Sequence, residues 1–274
     1  MSQADFSFVH FTDTHIMAGL PPGTVWGDTA GSLRRVIRII NALEPRPAFA
    51  VVGGDLVSPD VLDRSRTLTA DEYEPSYRLL QELLGDLRCP AHLLLGNHDN
   101  RPAFHRVMDT AAAGPDAPVR YAFDHQDHHF VALDSHEAGQ PWGFLDAGQL
   151  AWLAADLEAH RGRPTVLFVH HHLWPLGLAW LDEMPLRNGD EVTRLLARFP
   201  DVRWVVCGHV HQDHTAQRGA LTMLTTPATS VQISKLSQTR RMLGGPPGFR
   251  LVRVKGPELA SRVLHLHGDG VDAL

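Results

Sequence analysis

Five apolar runs in this chain each end in side chains able to hold a metal ion. Residues 6–12 lead into Asp13 and His15, residues 48–52 into Gly53, Gly54 and Asp55, and residues 92–95 into Asn97 and His98. Further on, residues 165–169 run into His170, His171 and His172, and residues 202–207 into His209 and His211. Short apolar runs bounded by turn residues read as buried strands. A polar or charged group placed against such a core is costly unless a partner holds it, so the repetition asks for a common partner.

Asp13 and Asp55, and again Asp55 and Asn97, stand about 42 residues apart. That is long enough for a strand, a crossover helix and a parallel strand. Strands joined in this way bring their C-terminal ends side by side, where α/β proteins place ligands. The spacing therefore predicts that Asp13, His15, Asp55 and Asn97 converge. Helical periodicity supports the crossovers, with Leu33, Val36, Ile37 and Ile40 on one stripe and Tyr77, Leu80, Leu84 and Leu87 on another. Beyond Arg101, residues 119–123 and 129–134 read as antiparallel neighbours, and Asp146 caps a helix carrying Leu150, Leu153 and Leu157. The strands at 165–169 and 202–207 flank a helix near 191–199, and residues 220–225, 249–254 and 262–267 read as closely spaced strands. The expectation is one domain over residues 1–274, β-rich from about residue 219, with two packed sheets and helices outside.

Composition excludes several classes of function. A formal charge of −6 leaves no electrostatic footprint for nucleic acid or an anionic membrane. No apolar run approaches the ~18 residues of a membrane span. The opening residues do not read as a secretory leader. The 2 cysteines, Cys89 and Cys207, are too far apart in sequence to suggest a disulfide framework. A cytoplasmic protein is expected. The 18 histidines are the unusual figure.

Imidazole, carboxylate and amide oxygen together suit borderline divalent ions. A single Asp-x-His or Gly-Asp pair arises often by chance. The ordered set DxH, GD, GNHD, HH and GHxH does not, and it resembles the calcineurin-like metallophosphoesterases from residue 13 to residue 211. That resemblance implies an α/β, four-layer α-β-β-α sandwich of two mixed sheets flanked by helices. It also implies two divalent metal ions (Mn, Fe or Zn). Asp13, His15, Asp55 and His211 would hold one, and Asp55, Asn97, His171 and His209 the other, with Asp55 bridging. In HHHLWP, Leu173 stands where the family has proline. The register then selects His171 as the ligand, with His170 the alternative and His172 facing substrate.

WLDEMPLRNGDEV (180–192), LLARFPDVRWVVCGHVHQ (195–212), TTPATSVQ (225–232) and PPGFR (246–250) resemble the bacterial class III cyclic-AMP phosphodiesterases. The implied reaction is hydrolysis of a 3′,5′-cyclic nucleotide by a hydroxide shared between two metals. His98 serves as proton donor or charge stabiliser, and Asn97 also touches substrate. Glycerophosphodiesters or other small diesters are the alternative substrates. A non-catalytic scaffold would not need the complete ligand set. The polar stretch 57–72 follows a candidate ligand and is longer than that branch leads one to expect, so it stands where it can alter access.

Asp99 has two readings, orienting His98 or capping the helix after Asn100. His10, His92, His105, His125, His128 and His129 are expected on solvated strand faces or loops. Trp174, Leu178, Trp180 and Leu181 form an apolar cluster suited to core, to a homodimer contact or to a nucleobase pocket.

Overall fold

The structure is a computed structural model that describes residues 5–110, 114–234, 239, 242–243, 245–268 and 270–271. The first half alternates β1 (Phe6–Phe11), α1 (Thr29–Asn41), β2 (Ala50–Val52), α2 (Ala70–Leu84), β3 (Ala91–Leu93) and α3 (Arg101–Val107). The hairpin β4 (Tyr121–His125) and β5 (His128–Leu133) follows, then α4 (Ala147–Ala159), β6 (Thr165–Val169), α5 (Gly189–Leu196) and β7 (Val202–Cys207). The remaining strands are β8 (Thr215–Arg218), β9 (Leu221–Thr225), β10 (Gln232–Ile233), β11 (Met242–Leu243), β12 (Gly248–Lys255), β13 (Glu258–His267) and β14 (Gly270–Val271). Among the described residues no helix is long and apolar enough to cross a membrane.

One sheet has the order β14-β13-β12-β1-β2-β3, the other β4-β5-β6-β7-β9-β8. β1, β2 and β3 are parallel, as are β5, β6, β7 and β9, while β12 runs antiparallel to β1 and β4 to β5. Both sheets are therefore mixed, as expected. The crossovers α1 and α2 put the ends of β1, β2 and β3 in one row, which is the convergence the spacing predicts.

Side-chain alternation builds the layers. On β1, Phe8 packs between the sheets with Phe130, Phe168 and Val252, while Val9 and Phe11 face Leu33, Val36 and Leu80 of the helices. On β6, Val166 and Phe168 join the inter-sheet core, and Leu167 and Val169 meet Leu153, Val192 and Leu196 of α4 and α5. The result is helices, sheet, sheet, helices. Asp146 caps α4 by accepting from the Gln149 amide at 2.7 Å, as its position in the sequence predicts.

The histidines expected in solvent are largely inside. His10, His105, His128 and His129 are buried, and His92 stacks on Phe123 at 3.6 Å between ring centroids. Three of them are held by partners that spacing could not reveal. His129 bonds Asp124 at 2.7 Å and Asp156 at 2.7 Å, tying the β4–β5 hairpin to the end of α4. His10 shares a 2.7 Å hydrogen bond with Thr226. His105 bonds Thr110 at 2.9 Å and donates to the Ala117 carbonyl at 2.8 Å.

Candidate metal centre

The site forms where the loops after β1, β2, β3, β6 and β7 meet. Backbone bonds set the loops side by side: Asp13 N donates to Gly54 O and His15 N to Asp55 O, each at 3.0 Å. Gly208 N donates to His170 O at 3.0 Å, joining the ends of β7 and β6. Gly96 is glycine for a steric reason, since a Cβ there would collide with Asp55 Oδ1 and the Asp55 amide. Asp13, His15, Asp55, His209 and His211 all have φ between 44° and 66°, a region that non-glycine residues seldom enter.

Two groups of ligand-capable atoms result, one from Asp13, His15, Asp55 and His211, the other from His170, His171 and His209, all buried. In the first, His15 Nε2 and His211 Nε2 lie 3.1 Å apart. His211 donates from Nδ1 to Val231 O at 2.6 Å, which leaves Nε2 as the ring nitrogen facing His15. Two ring nitrogens in such contact, beside Asp13 and Asp55, suit a shared cation. In the second group, Nε2 of His170, His171 and His209 are all buried without a hydrogen-bond partner, as is Oδ1 of Asn97. Buried polar atoms without hydrogen-bond partners are expensive in a protein core, and a cation beside the three imidazoles would satisfy their nitrogens together. The residues present therefore fit divalent metal binding.

Asp55 joins the groups. Its Oδ2 lies 3.6 Å from His15 Nε2 and its Oδ1 lies 3.4 Å from His170 Nε2. Oδ1 also accepts from the His98 amide at 2.9 Å. Burial opposes ionisation of Asp55, yet the facing His170, His98 and His15 hold its carboxyl well below the usual range. His170 is its counterpart. Burial lowers the basicity of this imidazole, but Asp55 and Asp13 outweigh that and push its pKa up to about 9. Burial and neighbouring imidazoles keep His171 and His209 well below the ordinary histidine value, so both are neutral and ligand-ready.

His170 and His171 reach the site together. His170 is oriented by donating from Nδ1 to Gly53 O at 2.7 Å, and His171 by a 2.8 Å bond between its Nδ1 and Ser135 Oγ. His172 is placed differently from expectation. It is fully buried, stacks behind His209 at 5.8 Å and does not line the cavity, because the backbone past β6 turns it toward Asp182, 4.0 Å away.

A cavity of about 580 Å³ opens over the groups, with Asp55, Asn97, His98, His209 and His211 on its floor. His98 faces it, and its Nδ1 pairs with Asp60 Oδ2 at 2.8 Å. Asp60 belongs to the 3₁₀ turn Pro59–Val61 inside the polar insertion, a partnership that sequence reading missed because no pattern links the two positions. Asp99 does not cap α3. It accepts from the amides of Leu56, Val57 and Gly96 and from the Tyr77 hydroxyl, pinning the loops after β2 and β3 together. Asn100 is the cap, accepting from Ala103 N at 3.0 Å. His136, also missed, lines the cavity and donates to Asp99 O at 2.9 Å.

Residues 6–213 match the family model for calcineurin-like phosphoesterase. The chain is 30% identical over 268 residues to the 3′,5′-cyclic adenosine monophosphate phosphodiesterase CpdA of Escherichia coli K12, covering 98% of this chain and 88% of that one. It is 31% identical over 257 residues to the glycerophosphodiester phosphodiesterase GpdQ of Enterobacter lignolyticus, covering 92% and 88%. A dimetal phosphatase from Danio rerio superposes with a TM-score of 0.68 at 16% identity, over 93% of this chain and 98% of that one, a likeness of fold. On the family match across most of its length and on these buried Asp/His groups, the chain belongs to the calcineurin-like phosphoesterases and is a metal-dependent phosphodiester hydrolase.

Proposed function

We propose that this chain hydrolyses 3′,5′-cyclic nucleotides, cyclic AMP to 5′-AMP, at a centre of two divalent cations. The observation that carries the reading is Asp55, whose two oxygens face two separate imidazole groups. Asp13, His15, Asp55 and His211 would hold one cation; Asp55, Asn97, His209 and His171, with His170 as the alternative, the other. Manganese, iron(II) and zinc all suit this mixture of nitrogen and oxygen donors. Such cations supply Lewis-acid polarisation of phosphoryl oxygens and make water acidic enough to attack at neutral pH.

The protein's own groups account for the rest. Asn97 and His98 stand on the cavity floor, where a phosphate bound to the cations would meet them. The leaving group of a cyclic nucleotide is a ribose alkoxide, which needs a proton as the P–O bond breaks. His98, oriented by the bond between its Nδ1 and Asp60, is the group that would donate that proton. The carboxylate stabilises the imidazolium before transfer and fixes the ring's orientation.

The likeness to both CpdA and GpdQ makes glycerophosphodiesters the second reading. Turnover by the manganese-loaded protein of cyclic AMP, cyclic GMP and glycerophosphoethanolamine separates them. A kcat/KM for cyclic AMP well above that for the glycerol diester is expected. The reverse ranking would assign the chain to glycerophosphodiesters.

A further inference from the structure

We propose that Trp180 and Met184 form the wall that receives the nucleobase and so set the specificity of this site; the inference rests on the cyclic-nucleotide reading above. The floor of the cavity is polar and suited to phosphate, whereas a nucleobase is flat and uncharged and presents a π-face that stacks. Trp180 and Met184 line the same cavity and both are partly exposed. They pack on Leu178, Leu181 and Val210. Val210 lies between His209 and His211, so the turn that carries two candidate ligands also supports the indole.

Hydrogen bonds tie down the loop that carries this wall. Asp182 accepts from the Leu176 amide at 2.7 Å and the Gly177 amide at 2.9 Å, and its own amide donates to Leu178 O at 2.8 Å. Leu186 N then ties the loop's far end to His172 O at 2.9 Å. A purely structural role suits Trp180 poorly. The core tryptophan of the same region, Trp174, is fully buried and donates its indole N–H to Thr193 Oγ1 at 2.8 Å. Trp180 is left partly exposed, and its indole nitrogen is buried without a partner. A buried indole N–H normally finds an acceptor, so packing alone is a weak reason to keep tryptophan here. A ring face toward the cavity is a better one.

Stacking a base on an aromatic ring contributes about 10- to 100-fold in binding and tolerates different bases. A glycerol headgroup has no ring to stack. The test is steady-state kinetics at saturating manganese for wild type, Trp180→Ala and Trp180→Phe, on cyclic AMP and on glycerophosphoethanolamine. In Trp180→Ala, KM for cyclic AMP should rise about tenfold or more with kcat nearly unchanged, and the glycerol diester should be unaffected. Trp180→Phe, which keeps a ring, should recover most of the loss. An unchanged KM for cyclic AMP in Trp180→Ala, or equal losses on both diesters, would overturn the base wall while leaving the activity standing. Wild-type protein that cleaves only the glycerol diester would overturn the cyclic-nucleotide reading, and the base wall with it.

Discussion

At the scale of single residues, the cost of this site is visible in the backbone. Asp13, His15, Asp55, His209 and His211 sit at positive φ, where each non-glycine residue loses about 1–3 kcal/mol. Strain of this kind persists only where surrounding contacts over-determine it, and here paired loop amides and the packed glycines do so. The same reasoning gives weight to Asp60, which lies outside every motif and yet holds His98. Asp60→Asn should cut kcat for cyclic AMP by roughly tenfold, a fraction of the 10²- to 10⁴-fold typical of acid catalysis. It should barely change kcat for bis-nitrophenyl phosphate, whose leaving group departs without a proton. Equal losses on the two substrates would mean that Asp60 only holds the loop. The histidine pair has its own test. His171→Ala should lower metal content in the purified protein, and so should His170→Ala, because both Nε2 atoms are buried beside His209. Full metal content in His171→Ala together with depletion in His170→Ala would make His170 the sole ligand of the pair.

Elements show where a sequence is legible and where it is not. The parallel strands were readable because apolar runs of the right length end in polar groups, and β1, β2, β6 and β7 lie within a residue or two of their expected places. The crossover helices were readable from periodicity, and their amphipathic faces meet the sheets as drawn. The short strands β8, β10, β11 and β14 were not readable, because two to four residues carry no period and gain their pairing from neighbours. Convergence of the candidate ligands followed from topology, since every one ends a parallel strand or its loop. The buried histidines were invisible for the opposite reason: their partners are distant carboxylates, carbonyls and hydroxyls. His129 shows how much such a partnership matters, bonding Asp124 of β4 and Asp156 of α4 from a side chain that is 2% exposed. Replacing it removes the closer of the two imidazoles beside Asp156, leaving only His160 Nδ1 at 3.6 Å, in a largely buried place. His129→Ala should therefore cost about 2 kcal/mol of stability, read as a lower urea midpoint. Because the cluster sits at the start of β5, far along the sheet from the ligands after β6, kcat should hold. A midpoint equal to wild type would show that the clamp contributes nothing.

For the molecule as a whole, metal and protons compete for the same buried imidazoles, and stability should record the competition. His10 is held neutral by burial and by nearby Arg250 and His170, its pKa lowered to about 3, and burial lowers His172 to about 4. Both are depressed below the unfolded value, so the unfolded chain takes up protons that the native state refuses. Their contribution is complete above about pH 6.5 and drains as pH falls toward those folded values, by ~1.4 kcal/mol per group and pH unit. His170 works the other way. Its raised pKa contributes stability that is present below pH 6.5 and lost as pH rises through about 9. In metal-free protein these terms favour a maximum near neutral pH. A divalent cation removes the need for His170 to be charged and requires the ligating imidazoles to be neutral, so its binding weakens in acid. Manganese at a hundred times its Kd should add about 2.7 kcal/mol. For a chain of this size that corresponds to a Tm increase of roughly 5 °C. Scanning calorimetry of chelator-treated protein, with and without manganese, should give that increase at pH 7.5 and much less at pH 5.5. In Asp55→Asn, which removes the carboxylate shared by both groups, the increase should vanish at either pH while the metal-free Tm changes far less. A variant that kept the full increase would remove Asp55 from the centre of the site, and an increase independent of pH would mean that the ion binds somewhere other than these histidines.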